Sequence, residues 1–157
     1  MSVISLYATN PKVRNDLLAV LVRLNQQDLA PIQAEHFTSF PQFLKSGREN
    51  PRRILLLAQE GSRSVELAAT IVEECPHNPL IWLSDLDFAL FSYRLEVEHF
   101  GLLPWTEESL RVALHNCKNK QREISFPVQS EPVPVGNLPF WQKLLAKGRR
   151  IFEKIRQ

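Results

Sequence analysis

Few side chains in this 157-residue chain are spaced for chemistry. The four histidines, His36, His77, His99 and His115, are scattered, and none has a second ligand one helical turn away, so they are read as surface or half-buried residues rather than metal ligands. Glu73-Glu74 and Glu107-Glu108 are adjacent carboxylates. The first pair falls at the end of a predicted helix. The second falls at the start of one, where it complements the helix dipole rather than forming an acid/base couple. Ser64 and Ser84 have no recognisable partner to activate them, and the patterns Gly-x-Ser-x-Gly, Gly-x-Gly-x-x-Gly and Gly-x-x-x-x-Gly-Lys are absent. Cys75 and Cys117 fall on predicted helices without disulfide or metal spacing and read as buried thiols. The residues thus predict no catalytic group, no metal and no cofactor, and point away from an enzyme.

The elements that would position these residues are clearer than the chemistry. Residues 78–114 read as strand, helix, strand, helix. Leu80-Ile81-Trp82-Leu83 is an apolar run of the kind that lies buried on both faces of a sheet. Ser84 and Asp85 are placed to cap a following helix whose stripe is Phe88, Ala89, Phe91, Ser92 and Leu95. Phe100 to Leu103 forms a second run ended by Pro104; Thr106 caps a last helix with Leu110, Ala113, Leu114 and Cys117 on its buried side. Upstream, residues 3–8 predict a strand and Asn10-Pro11 a helix start, followed by Val13, Leu17, Leu18, Leu21, Val22 and Leu24 at helical spacing. Residues 31–37 make a more polar strand suited to a sheet edge, and a short helix from Thr38 or Ser39 runs out at Gly47. Residues 53–58 are the most apolar run and the natural central strand. Gly61-Ser62 turns the chain into a helix that stops before Pro76.

Five strands alternating with five helices predict an α/β fold with a parallel sheet and right-handed crossovers. The expected architecture is a flavodoxin-like, doubly wound (βα)5 three-layer sandwich with strand order 2-1-3-4-5. An apolar fraction of 44% is ordinary for a globular domain of this length. No run approaches the roughly 18–20 apolar residues of a membrane span, and no basic-then-apolar leader opens the chain, which predicts a cytoplasmic protein.

Charge divides the chain. Residues 1–124 carry 13 Lys/Arg against 15 Asp/Glu, and residues 125–157 carry 6 against 2. The expected organisation is a folded domain over residues 1–121, a linker over 122–139 and a basic amphipathic helix over 140–157. The linker contains Pro127, Pro132, Pro134 and Pro139 and should be extended and semi-rigid. In the tail, Phe140, Trp141, Leu144, Leu145, Ile151, Phe152 and Ile155 share one helical face, while Lys143, Lys147, Arg149, Arg150, Lys154 and Arg156 crowd the other. Fully burying those seven apolar side chains is worth roughly 10–20 kcal/mol gross, too much to leave in water. Four destinations fit: the chain's own domain or a sister copy, a partner protein, an anionic membrane surface, or nucleic acid.

Two segments carry a family resemblance. Ala8-Thr9-Asn10-Pro11-Lys12-Val13-Arg14 stands where Asp-Asp-Glu-Pro-x-x-Arg stands in bacterial response-regulator receiver domains. Phe88 to Tyr93 and then Val97 to Pro104 are similar to the pattern A-x-x-A-F followed by A-x-D-Y-L-x-K-P in receivers of the LytTR type. The resemblance spans residues 3–118. It implies a Mg²⁺-binding carboxylate set, an aspartate nucleophile, a lysine and a switch hydroxyl at the strand tips. Carried over by position, the acidic pair falls on Ala8 and Thr9, the phosphoacceptor on Ala58 or Gln59, the lysine on Leu103 and the hydroxyl on Ser84, itself equally readable as a helix cap. The resemblance therefore implies a degenerate pseudo-receiver that acts in signalling by protein contact. Receivers commonly pair through the fourth helix, fifth strand and fifth helix; here that face draws on Tyr93, Arg94, Val97, Trp105 and Arg111, with a homodimer or a protein partner as the expected contact. The alternative is that the tail helix is the effector, on a membrane surface or nucleic acid. DNA binding is not inherited by analogy, because 33 residues are too few to build a DNA-binding domain after the receiver-like part.

Overall fold

The computed structural model describes residues 2–27 and 31–124. The elements are β1 (Ser2–Ala8), α1 (Pro11–Gln27), β2 (Ile32–Phe37), α2 (Phe40–Glu49), β3 (Ile54–Ala58), α3 (Arg63–Glu74), β4 (Leu80–Ser84), α4 (Ala89–Arg94), β5 (His99–Leu102) and α5 (Glu107–Ile124). All five strands are parallel, in the order β2-β1-β3-β4-β5. The fold class and strand order expected from the sequence are thus observed, with β3 central and β2 at an edge. The linker expected from residue 122 starts later, because α5 continues as helix to Ile124; the rest of it and the tail helix of residues 140–157 lie outside the described residues.

Successive side chains of a strand face opposite sides of the sheet, and the core divides accordingly. Ile4, Leu6, Ala8, Ile54, Leu56, Ala58, Ile81 and Leu83 join Leu17, Val20, Leu21 and Leu24 of α1 and Leu110, Ala113, Leu114 and Cys117 of α5. Leu55, Leu57, Leu80 and Trp82 face the other way, against Phe43 and Leu44 of α2, Val65, Leu67, Ala68 and Ile71 of α3, and Leu95. Every residue of β3 and β4 is buried, as their unbroken apolar runs required. Cys75 and Cys117 are buried and form no disulfide. Burial pushes the Cys75 thiol up from its usual range, with nearby Arg48 opposing and Glu74 reinforcing that shift.

Two expectations are corrected. Gly47 does not end α2, which continues to Glu49. A β-carbon there would stand 3.0 Å from Cys75 Sγ and 3.1 Å from a Leu55 methyl, so the glycine allows close approach instead. The second correction concerns α4, which does not start after Ser84-Asp85 but at Ala89, and is only six residues long. The Ala89 N–H is bonded by Asp87 Oδ1 at 3.1 Å, while Asp85 Oδ1 accepts from the Gly61 N–H across the crown at 2.7 Å. The helix closes at Glu96, whose φ of 55° is left-handed. Consequently only part of the expected stripe is inside: Leu95 and Ser92 are buried and Phe88 half-buried, whereas Ala89 and Phe91 are exposed.

Candidate functional site

In a parallel sheet wound on both faces, ligands gather at the carboxyl ends of the strands. Here Ala8 and Ala58 pair in register, as do Ala58 and Leu83, so the loops after β1, β3 and β4 leave the sheet side by side. The structure therefore brings together the positions singled out from the sequence. Ala8, Ala58 and Ser84 are buried at the tips, Thr9 is exposed just beyond, and Leu103 is half-buried against the α1/α5 side of the core.

The polar groups at this crown bond mostly to one another. Thr9 Oγ1 donates to Gln59 Oε1 at 3.0 Å, and Gln59 Nε2 donates to the Glu60 carbonyl at 3.2 Å. Asn10 does two jobs: Oδ1 accepts from the Lys12 N–H at the start of α1, and Nδ2 donates to Glu60 Oε1 at 3.2 Å. Sequence reasoning expected the Asn10 cap but missed the Thr9–Gln59 bond. The signal was available, since residues one step past a registered Ala8–Ala58 pair must emerge as neighbours.

Ser84 is not a helix cap, contrary to expectation. Its hydroxyl lies 3.5 Å from Asp85 Oδ1 and 3.4 Å from the Leu86 nitrogen, well ahead of α4, which starts at Ala89. Its carbonyl accepts from the Leu103 N–H at 2.8 Å, which fastens the loop after β5 beside the crown. Among the described residues, no group of three or more His, Cys, Asp or Glu side chains converges as a metal site. Glu60 and Asp85 are the carboxylates nearest the tips, and each already accepts a bond from a neighbouring loop.

The second candidate surface is the α4–β5–α5 side. Tyr93, 83% exposed, and Arg94 stand in solvent. Val97 and Trp105 are half-buried against opposite halves of the core. Arg111 is exposed and bonded to Gln27 Oε1 at 2.9 Å, so it ties α5 to α1. Sequence reasoning missed the apolar residues that dominate this surface: Leu86, Leu90, Phe91 and Leu102 are all exposed. Leu102 shares the strand parity of Phe100 and so belongs to the α4 side of the sheet.

Beneath α4 the aromatic side chains form a chain of contacts. The Trp82 ring stacks on Phe88 at 5.5 Å and meets Phe100 edge-on at 5.1 Å; Phe88 meets Phe91 edge-on at 6.2 Å. The Trp82 indole N–H donates to the buried Ser64 hydroxyl at 2.6 Å. Phe88 thereby links the exposed Phe91 of α4 to the buried Trp82.

No protein-family model and no curated protein matches the chain. Solved structures do. A response regulator receiver domain protein from Clostridium thermocellum superposes with a TM-score of 0.62 at 17% identity, covering 79% of this chain and 99% of its own. The signal receiver domain of an HD domain-containing protein from Pseudomonas fluorescens gives 0.60 at 16%, covering 81% and 93%. A CheY-like protein, tadZ, from Pseudomonas aeruginosa gives 0.55 at 15%, covering 74% and 99%. With five parallel strands in the same order and nearly the whole of each of these chains matched, the described domain has the fold of the response regulator receiver domains.

Proposed function

We propose that this chain is a non-catalytic pseudo-receiver, nearest the LytTR type by the sequence pattern of residues 88–104, that works in cytoplasmic signalling by contact with a protein. The observation that carries this reading is the composition of the crown. Phosphoryl transfer to a receiver needs a carboxylate nucleophile and oxygen ligands that hold Mg²⁺ against the phosphate. Ala8 and Ala58 offer methyl groups, Thr9 and Gln59 are neutral and bonded to each other, and Leu103 brings no charge. None of these can form an acyl phosphate or offset a dianion. Incubating the protein with a small phosphodonor and Mg²⁺, followed by intact mass, is expected to show no added phosphoryl group; its appearance would overturn the reading.

The contact surface in this reading is the α4–β5–α5 face with Tyr93, Arg94, Val97, Trp105 and Arg111, used for pairing with a second copy or a partner. Exposed aromatic and apolar side chains beside Arg94 support it. Arg94→Ala is the cleaner probe of it, because Trp105 also packs on the core. A second reading, in which the basic segment of residues 140–157 binds an anionic membrane surface or nucleic acid, is favoured by its six Lys/Arg opposite an apolar stripe. Salt-dependent binding to anionic vesicles or duplex DNA would support it.

A further inference from the structure

We infer that the apolar α4–β5 edge is the docking site for the chain's own C-terminal segment, residues 140–157, which must be displaced before that face can pair. The inference rests on the contact-face reading above and names what regulates that face.

The receiving surface is specific in shape and charge. Leu90 is 62% exposed and Tyr93 83%, with Leu86, Phe91 and Leu102 exposed around them, because a six-residue α4 is too short to fold its own apolar residues inward. The stretch of chain that carries most of this patch is acidic. Residues 85–98 hold Asp85, Asp87, Glu96 and Glu98 against the single cation Arg94. The C-terminal segment is complementary in both respects. Residues 140–157 hold six Lys/Arg against Glu153 alone, and Trp141, Leu144, Leu145, Ile151, Phe152 and Ile155 repeat at helical spacing. A basic amphipathic segment meeting an apolar strip on an acidic stretch of chain satisfies the apolar and the charged requirements together.

The chain can also reach. Residues 125–139 separate Ile124 at the end of α5 from Phe140, and fifteen residues span up to about 50 Å when extended. A domain of about 120 residues has a radius of gyration near 14 Å. α5 and α4 lie on opposite sides of the sheet, but β5 is the edge strand, so the path between them passes over an open edge.

The test uses the full chain, unlabelled and isotope-labelled protein mixed in equal parts, with zero-length carboxyl-to-amine crosslinking read by mass spectrometry. The expected result is crosslinks from Lys143, Lys147 or Lys154 to Asp85, Asp87 or Glu96 within one isotopic species and none between the two species. They should be lost in the double variant Leu90→Asp, Tyr93→Asp, both of whose sites are solvent-exposed. Crosslinks found between species as often as within them would make a second copy the occupant and overturn the proposal. So would tail lysines linked elsewhere, or unlinked while the protein binds phosphatidylserine vesicles. In parallel, the Trp141→Ser, Phe152→Ser variant should raise the mass in solution by exposing the pairing face. If the crosslinks form within one chain and this variant stays monomeric, docking stands and pairing with a second copy fails. If the crosslinks do not form and Arg94→Ala still lowers the mass, pairing stands and docking fails.

Discussion

The two sides of the sheet are built differently. On one, α1 and α5, 17 and 18 residues long, lie over an aliphatic layer of Ile, Leu, Val and Ala. On the other, α2, α3 and α4 run to 10, 12 and 6 residues, and the layer beneath is filled by Phe43, Trp82, Phe88 and Phe100, with Tyr7, Phe37 and Phe40 packed beside them. Large rings cover sheet area that a short helix cannot reach. The same shortness leaves Leu90, Phe91 and Tyr93 in solvent. The side with long helices is closed, and the side with the short helix keeps apolar surface available for contact.

Substitutions can break or sharpen that contrast. Trp82→Ala empties the fully buried centre of the aromatic side, where the ring stacks on Phe88 and meets Phe100 edge-on, and should cost about 3–5 kcal/mol in urea melts. It should also exceed Leu114→Ala on the closed side; a smaller loss at Trp82 would show that the rings are not what covers the sheet. Ser64→Ala removes the acceptor of the Trp82 indole and should cost about 1–3 kcal/mol, since it strands a buried N–H. Tyr93→Ser on the exposed side should change stability by no more than about 0.5 kcal/mol. Its signature is a change in mass in solution; unchanged mass together with a large loss of stability would mean that α4 is core.

The smallest effect concerns pH. Burial holds His99 on β5 below its usual value near 6.5, which favours the neutral ring in the folded state. The unfolded chain then takes up a proton that the folded one resists. Stability should be full above about pH 6.5 and decline as pH falls from there through the lower folded value. The ring is only partly buried, so the slope is shallow. Replacing it by His99→Gln should flatten this limb of the thermal-melt profile, and an unaltered profile would assign it to other groups.

Much of the fold was legible because it depends on local pattern. Unbroken apolar runs at residues 54–58 and 80–83 required strands buried on both faces, and Asn10 and Thr106 marked helix starts that the structure keeps. The capped start after Ser84 failed for a non-local reason: Asp85 is bonded to Gly61, 24 residues away, and it is Asp87 that accepts from the Ala89 N–H at the later start. Glycine misled in the same way at Gly47, where Cys75 and Leu55 decide its role.

By itself, then, the sequence determined the alternation of elements, the parallel sheet, the central and edge strands, and the residues available at the strand tips. Those follow from hydrophobic period, caps and residue identity, which act within a few positions along the chain. Only the tertiary structure decided that Thr9 meets Gln59, that Trp82 bonds Ser64, and that α4 begins late and turns Leu90 and Tyr93 outward. Each of these depends on groups from distant segments competing for the same hydrogen bond or the same space, and that competition is settled only when the layers close.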